Sequence, residues 1–155
     1  MFNEGVRKED LSQVTPSGWH QVNTKEQFGV SLKYNDTTTD YLFARSHLIA
    51  WSLGGSELDP RGIITATAEC NLTMQEIENA VHEFLSNART DHVLYRVTPV
   101  YKSDSDLLPY GVLMEGYAVE NKGLFISYNM FIFNAQTELY GVAEIDYKTG
   151  VVAKP

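Results

Sequence analysis

The chain has 155 residues, 43% hydrophobic and 21% charged, which excludes a disordered polymer and leaves room for one sizeable core. The net charge of −8 counts against broad, tight nucleic-acid binding through a basic surface, although chemistry at a single, locally neutralised phosphate stays open. A single cysteine, Cys70, excludes an intrachain disulfide and a thiolate metal cluster, and no apolar run approaches the ~18–20 residues that span a bilayer.

Residues 1–14 are charged and read as a loosely held arm, or as a short helix begun near Asp10. Residues 1–10 are too polar for a signal peptide. Thr15-Pro16-Ser17-Gly18-Trp19 reads as a turn that brings an aromatic ring onto the body. Residues 25–32 form a weak strand, and the polar stretch 33–40 reads as a loop. Residues 41–43 read as a short strand that delivers Arg45 and His47. The next run breaks at Gly54-Gly55, and Asp59-Pro60-Arg61-Gly62 is a turn signal ahead of a strand over 63–67.

The spacing of Ile77, Ala80, Val81, Phe84 and Leu85 predicts a helix over 72–87. Thr73 and Glu76 fit a capping box, which makes Thr73 the N-cap and leaves Asn71 just ahead of the helix. The period then changes. Strands are predicted over 92–101, 112–119 and 125–134, with turns at 103–106 and 121–123. Asp146 to Gly150 is a terminal turn. The pattern predicts an α+β fold in which an antiparallel sheet packs on one long helix, with no repeat and no second domain.

Few residues are suited to chemistry. His20, His47, His82 and His92 are too scattered for a histidine-rich zinc site, and none makes a helical HxxxH pair. His47 reads either as a packed histidine between Phe43 and Leu48 or as a general base, since an imidazole pKa of ~6.5 leaves it largely unprotonated near neutrality. Asn71 and Glu78 stand seven apart, two helical turns, and oxygen donors so placed suit a hard cation. Spacing alone fits a capping amide and a solvated carboxylate better than a metal pair. Glu76 and Glu83 read as the solvent face. Arg45 and Arg96 lie among apolar neighbours and can fork onto phosphate, or onto a carboxylate such as Glu78 or Glu115. Arg61 is a third phosphate candidate. No GxxxxGK loop and no serine nucleophile elbow is present.

Together these residues resemble the DNA/RNA non-specific endonucleases of the ββα-metal, or His-Me finger, superfamily, and most of all the secreted streptococcal-type DNases and DNA-entry nucleases. The histidine motif stands as Phe43-Ala44-Arg45-Ser46-His47-Leu48-Ile49, followed by Gly54-Gly55. The strand 63–67 then leads to Asn71, Met74 and Glu78-Asn79, and later to the segment 92–100. Pro16-Ser17-Gly18-Trp19 upstream and Ile145 to Gly150 at the end extend the likeness over residues 16–150.

The resemblance implies a 1–15 arm and a single nuclease-like domain over 16–155, built as an antiparallel sheet with a ββα-metal motif and one long helix. It implies Mg²⁺-dependent, sequence-non-specific hydrolysis of DNA, with RNA as a further substrate and Mn²⁺ as a substitute ion. His47 would be the general base, and Asn71 would bind the ion. Glu78 would hold metal-bound water, and Arg45 would stand near the phosphate. Arg96 and Arg61 would be phosphate-side contacts. The resemblance also implies an exported bacterial enzyme. Ala44 departs from the family pattern, where Asp or Asn braces the site loop, and Ser46 replaces the common glycine. Ala44 and the acidic charge support an alternative: a weakened or inactive nuclease fold kept as a binding module. A small extracellular binding domain, with Asn71 and Glu78 pointing apart, is the second alternative.

Overall fold

A computed structural model describes residues 10–56 and 58–155. Most of the N-terminal arm lies outside the described residues. Its last part is a single 3-10 turn, Leu11–Gln13, capped by Asp10, whose carboxylate accepts the Ser12 N–H at 2.8 Å.

Helix α1 (Thr24–Phe28) stands where a weak strand is expected from the sequence. The cause is local: Asn23 accepts the Glu26 N–H at 3.3 Å, and Gly29 closes the helix in the left-handed region at φ 77°. Strands β1 (Leu32–Tyr34) and β2 (Thr37–Thr39) follow as an antiparallel hairpin, which replaces the expected loop over 33–40. Asn35 makes the turn at φ 50°, a conformation that asparagine tolerates. Glu76, read from the sequence as solvent-facing, anchors this hairpin by accepting from the Tyr34 hydroxyl at 2.8 Å and from the Asn35 amide.

Strand β3 (Phe43–His47) is longer than expected and carries Arg45 and His47 within it. It pairs antiparallel with β4 (Ile63–Thr67), setting Arg45 opposite Thr65 and His47 opposite Ile63. Strand β4 runs into helix α2 (Ala68–Asn87) with no connecting loop. The N-cap is therefore Thr67, whose side chain accepts the Cys70 N–H at 3.2 Å. Thr73 is not a cap: it sits inside the helix and donates its hydroxyl to the Glu69 carbonyl at 2.8 Å. Asn71 is thus a first-turn residue of α2 and does not precede the helix.

A distant residue sets this junction. The Asn134 side chain is fully buried, accepts the Thr67 N–H at 2.7 Å, and donates to the Thr65 and Pro109 carbonyls. It leaves neither its own amide nor the strand end unsatisfied, so the polar group is buried without the usual penalty.

Strands β5 (Val93–Val100), β6 (Gly111–Ala118) and β7 (Ser127–Phe133) form the expected antiparallel three-stranded sheet in the order β5-β6-β7. Alternation sends Tyr95, Val97, Val112, Met114, Tyr128 and Ile132 to the inner face, against Ile64, Cys70, Met74 and Ile77 of β4 and α2. The buried stripe of α2 is Ala68, Cys70, Met74, Glu78 and Val81; Ala80, expected in the stripe, is exposed. Burial, with the nearby Glu69 charge adding to it, pushes the Cys70 thiol up to about 12, so the group is packing and not chemistry. A second cluster around Leu32, Leu42, Phe43, Leu108 and Leu139 joins the hairpins to β8 (Glu144–Ile145) and β9 (Val152–Ala153) across the turn at 146–150. Among the described residues no helix is long and apolar enough to cross a membrane.

Candidate active site

Strand β3, the start of α2 and the loop after His47 enclose a cleft of about 290 Å³. Its lining includes Arg45, His47, Trp51, Asn71, Gln75, Glu78 and Asn79. Four of the residues singled out from the sequence therefore meet at one place. The β3–β4 pairing presents Arg45 and His47 from one wall, and the continuous helix presents Asn71 and Glu78 from the other.

Arg96 and Arg61 lie elsewhere. Arg96 projects from the outer face of the sheet and forks onto Glu115, its cross-strand neighbour, at 2.6 and 2.8 Å. Arg61 forks onto Asp59 within the 3-10 turn Pro60–Gly62 at 3.0 and 2.6 Å. Of the two partners foreseen for a packed arginine, Arg96 has the carboxylate.

Two further α2 residues of the cleft, Gln75 and Asn79, have no role in the sequence reading, although Asn79 stands in its motif. Gln75 and Asn79 follow Asn71 at steps of four, so the three amides form a row along one face of α2. Among the described residues, none hydrogen-bonds these three side chains. The signal was present in the sequence as amides at i, i+4 and i+8, but it becomes visible only when the helix is begun at Ala68.

Glu78 has a different environment. It is buried, 6% exposed, and its Oε1 accepts the Ala50 N–H at 2.7 Å. That bond ties α2 to the loop directly after the His47 strand. The loop continues as the 3-10 turn Trp51–Leu53 and closes at Gly54, φ 93°, while a Cβ at Gly55 would strike the Ile49 carbonyl. The glycine pair thus allows the tight return that brings Trp51 to the cleft. Burial pushes the Glu78 carboxyl up to about 7, opposed by the Ala50 N–H and the nearby Tyr95 hydroxyl. The Tyr95 hydroxyl approaches the carboxylate without closing a full hydrogen bond, and that of Tyr128 is also buried without a partner among the described residues.

This burial has a consequence for stability. The Glu78 carboxyl loses its proton near 4.5 when unfolded and near 7 when folded, so the folded state holds the extra proton between those values. Stability from this group is then greatest at low pH and falls as pH rises through the window, by on the order of 3 kcal/mol. Urea unfolding in EDTA is expected to show that fall between pH 5 and pH 8, and Glu78→Gln is expected to flatten it. An equal pH slope in wild type and Glu78→Gln would contradict the assignment.

The donor set suits a hard, largely hydrated cation. Amide oxygens of Asn71, Gln75 and Asn79 and the Glu78 carboxyl are oxygen ligands of the kind Mg²⁺ accepts in small number, with water completing the shell. Among the described residues no cluster of three or more His, Cys, Asp or Glu could hold a metal by itself, so an ion here would depend on amide oxygen and water. Arg45 supplies the positive charge opposite. Ser46, in the glycine position of the motif, is buried with its hydroxyl toward the Met74 sulfur at 3.8 Å, which leaves the strand geometry undisturbed. Ala44 faces Ala66 in the pairing and adds no polar brace.

Comparison with known proteins gives the family and the fold. The family profile described as DNA/RNA non-specific endonuclease matches residues 10–119. The solved Sda1 nuclease with bound zinc is 28% identical, with a TM-score of 0.76 over 97% of this chain and 70% of that one. NucA from Streptococcus agalactiae with magnesium bound is 26% identical, with a TM-score of 0.69 over 97% of this chain and 67% of that one. A structure described as an extracellular nuclease shares the fold at 17% identity and a TM-score of 0.59, over 81% of this chain and 83% of that one.

Proposed function

The chain belongs to the DNA/RNA non-specific endonuclease family, and from that premise we propose that it is a Mg²⁺-dependent endonuclease hydrolysing DNA, and RNA as well, without regard to base sequence. The observation that carries this reading is the meeting of His47, Arg45 and the α2 amide row in one cleft. In this reading β3, β4 and α2 are the ββα-metal motif, residues 16–155 act as one nuclease domain, and the enzyme is exported.

His47 is the general base. It accepts a proton from the water that attacks phosphorus, a role that calls for an imidazole at the edge of a hydrated cleft. Arg45 meets the non-bridging phosphate oxygens with its terminal nitrogens. Asn71 is the amide that would hold the divalent ion, and Gln75 and Asn79, one and two turns further along α2, would meet its water shell. When bound, the ion supplies charge stabilisation at the phosphate and at the departing 3′ oxygen. Glu78 supports the site by holding Ala50, and so the loop beyond His47, at its fixed distance from α2. One ion and one arginine read backbone and not base edges, which fits cutting without sequence preference.

Digestion of supercoiled plasmid tests the reading. Cutting at many positions in Mg²⁺, stopped by EDTA and leaving 5′-phosphate ends, is expected. A folded protein that cuts nothing in Mg²⁺ or Mn²⁺ would favour the inactive binding module that Ala44 suggests.

A further inference from the structure

Arg45 is held from two sides by the segment that precedes the first helix. Its guanidinium carbon lies 4.1 Å from the centroid of the Trp19 ring, and its Nε donates to the Val14 carbonyl at 2.6 Å. Its two terminal nitrogens make no hydrogen bond to any described residue, and the arginine lines the cleft. A guanidinium stacked on one face and satisfied at Nε retains one fork of donors, the pair that matches two phosphate oxygens.

The holder is itself rigid. Val14 is buried. The Ser17 hydroxyl donates to the Leu107 carbonyl at 2.7 Å, and the Ser17 carbonyl accepts the Thr65 hydroxyl at 2.8 Å. Gly18 turns the chain at φ 65°, where an added Cβ would press on Leu107 and Leu108. Thr65 pairs with Arg45 across β3 and β4, so the turn that carries Trp19 is fastened to the same strand pair that carries the arginine.

We propose that Trp19 is a positioning residue, fixing Arg45 together with the Val14 carbonyl so that its free fork meets a nucleic-acid phosphate in the cleft. This rests on the nuclease reading above and deepens it, because it makes the segment 14–19 part of the substrate site. Stacking also restrains a long side chain before the phosphate arrives, so less conformational freedom is lost on binding.

The test uses the full chain and its Trp19→Leu, Trp19→Phe, Arg45→Ala and Trp19→Leu/Arg45→Ala variants. Two readouts are taken: binding of a short labelled DNA duplex in EDTA by fluorescence anisotropy, and kcat and KM for its cleavage in Mg²⁺. Trp19→Leu is expected to weaken metal-free binding and raise KM by ~3- to 10-fold, the scale of a cation–π contact. Trp19→Phe, which keeps a ring over the guanidinium, is expected to lose less, and it carries the test if the leucine variant unfolds. In the Arg45→Ala background the Trp19 change is expected to add nothing, as a residue acting through Arg45 must. Equal binding by wild type and folded Trp19 variants, or losses that simply add to that of Arg45→Ala, would overturn the proposal. If wild type cuts DNA while the Trp19 variants match it, only the role of Trp19 fails. If wild type neither binds nor cuts, the nuclease reading fails and takes the proposal with it.

Discussion

His47→Ala is expected to lose ~10²–10⁴-fold in cleavage rate, the usual worth of a positioned general base, while the protein stays folded. His47 closes strand β3 at the cleft margin, and its pairing with Ile63 is carried by backbone. The packing of this strand pair belongs to Phe43 and to Ile64. Single-turnover cleavage of a labelled duplex, with thermal unfolding as the control for folding, measures the effect. A folded His47→Ala protein with wild-type rate would remove the histidine from the reaction.

The second large effect is expected at the amide row. Asn71→Ala and Asn79→Ala each remove an oxygen donor from the cleft, and activity at low Mg²⁺ is expected to fall by ~100-fold for Asn71→Ala, the direct ligand, and by less for Asn79→Ala, with partial recovery at high Mg²⁺. Loss of groups that merely orient ligands costs ~10–100-fold, so loss of a direct ligand should lie at or above that range. The two substitutions also divide the work between the amides: the variant with the larger shift in Mg²⁺ dependence identifies the principal ligand. Unchanged metal dependence in both would remove the row from the metal site.

Much of this arrangement was legible in the sequence because it rests on local periodicity. The three strands 93–100, 111–118 and 127–133 are rich in β-branched and aromatic residues, and α2 has strong helical spacing from Met74 onward. His47, Arg45, Asn71 and Glu78, named from a motif whose order is itself informative, line one cleft. What escaped was decided at a distance. The true start of α2 depends on Asn134 holding Thr67, and on Gln136, whose side-chain oxygen accepts the Glu69 N–H at 3.0 Å; both lie more than sixty residues along the chain. A local capping box at Thr73 therefore competed with a long-range junction and lost. A helix begun at Thr73 conceals the amide row, because Gln75 and Asn79 align with Asn71 only on a helix that starts before it.

The same distinction explains the remaining differences. Residues 33–40 look like a loop because three consecutive threonines carry no apolar alternation, yet Glu76 fixes their turn as a hairpin through Tyr34 and Asn35. The segment 25–32 looked extended, but the Asn23 cap and Gly29 enclose a helix too short to show a full period. The burial of Glu78 was likewise invisible. A carboxylate beside Ile77 on a helix reads as solvated until the Ala50 N–H and the inner face of the sheet are seen to close over it.

Cleavage rate against Mg²⁺ concentration, run in one series for wild type, His47→Ala, Asn71→Ala and Asn79→Ala, tests the division of labour between the two walls of the cleft. The account predicts a His47→Ala curve that saturates at the wild-type Mg²⁺ concentration but at a far lower plateau, and an amide variant whose curve is displaced to higher Mg²⁺. A His47→Ala plateau equal to wild type, or amide variants that saturate with wild type, would contradict it.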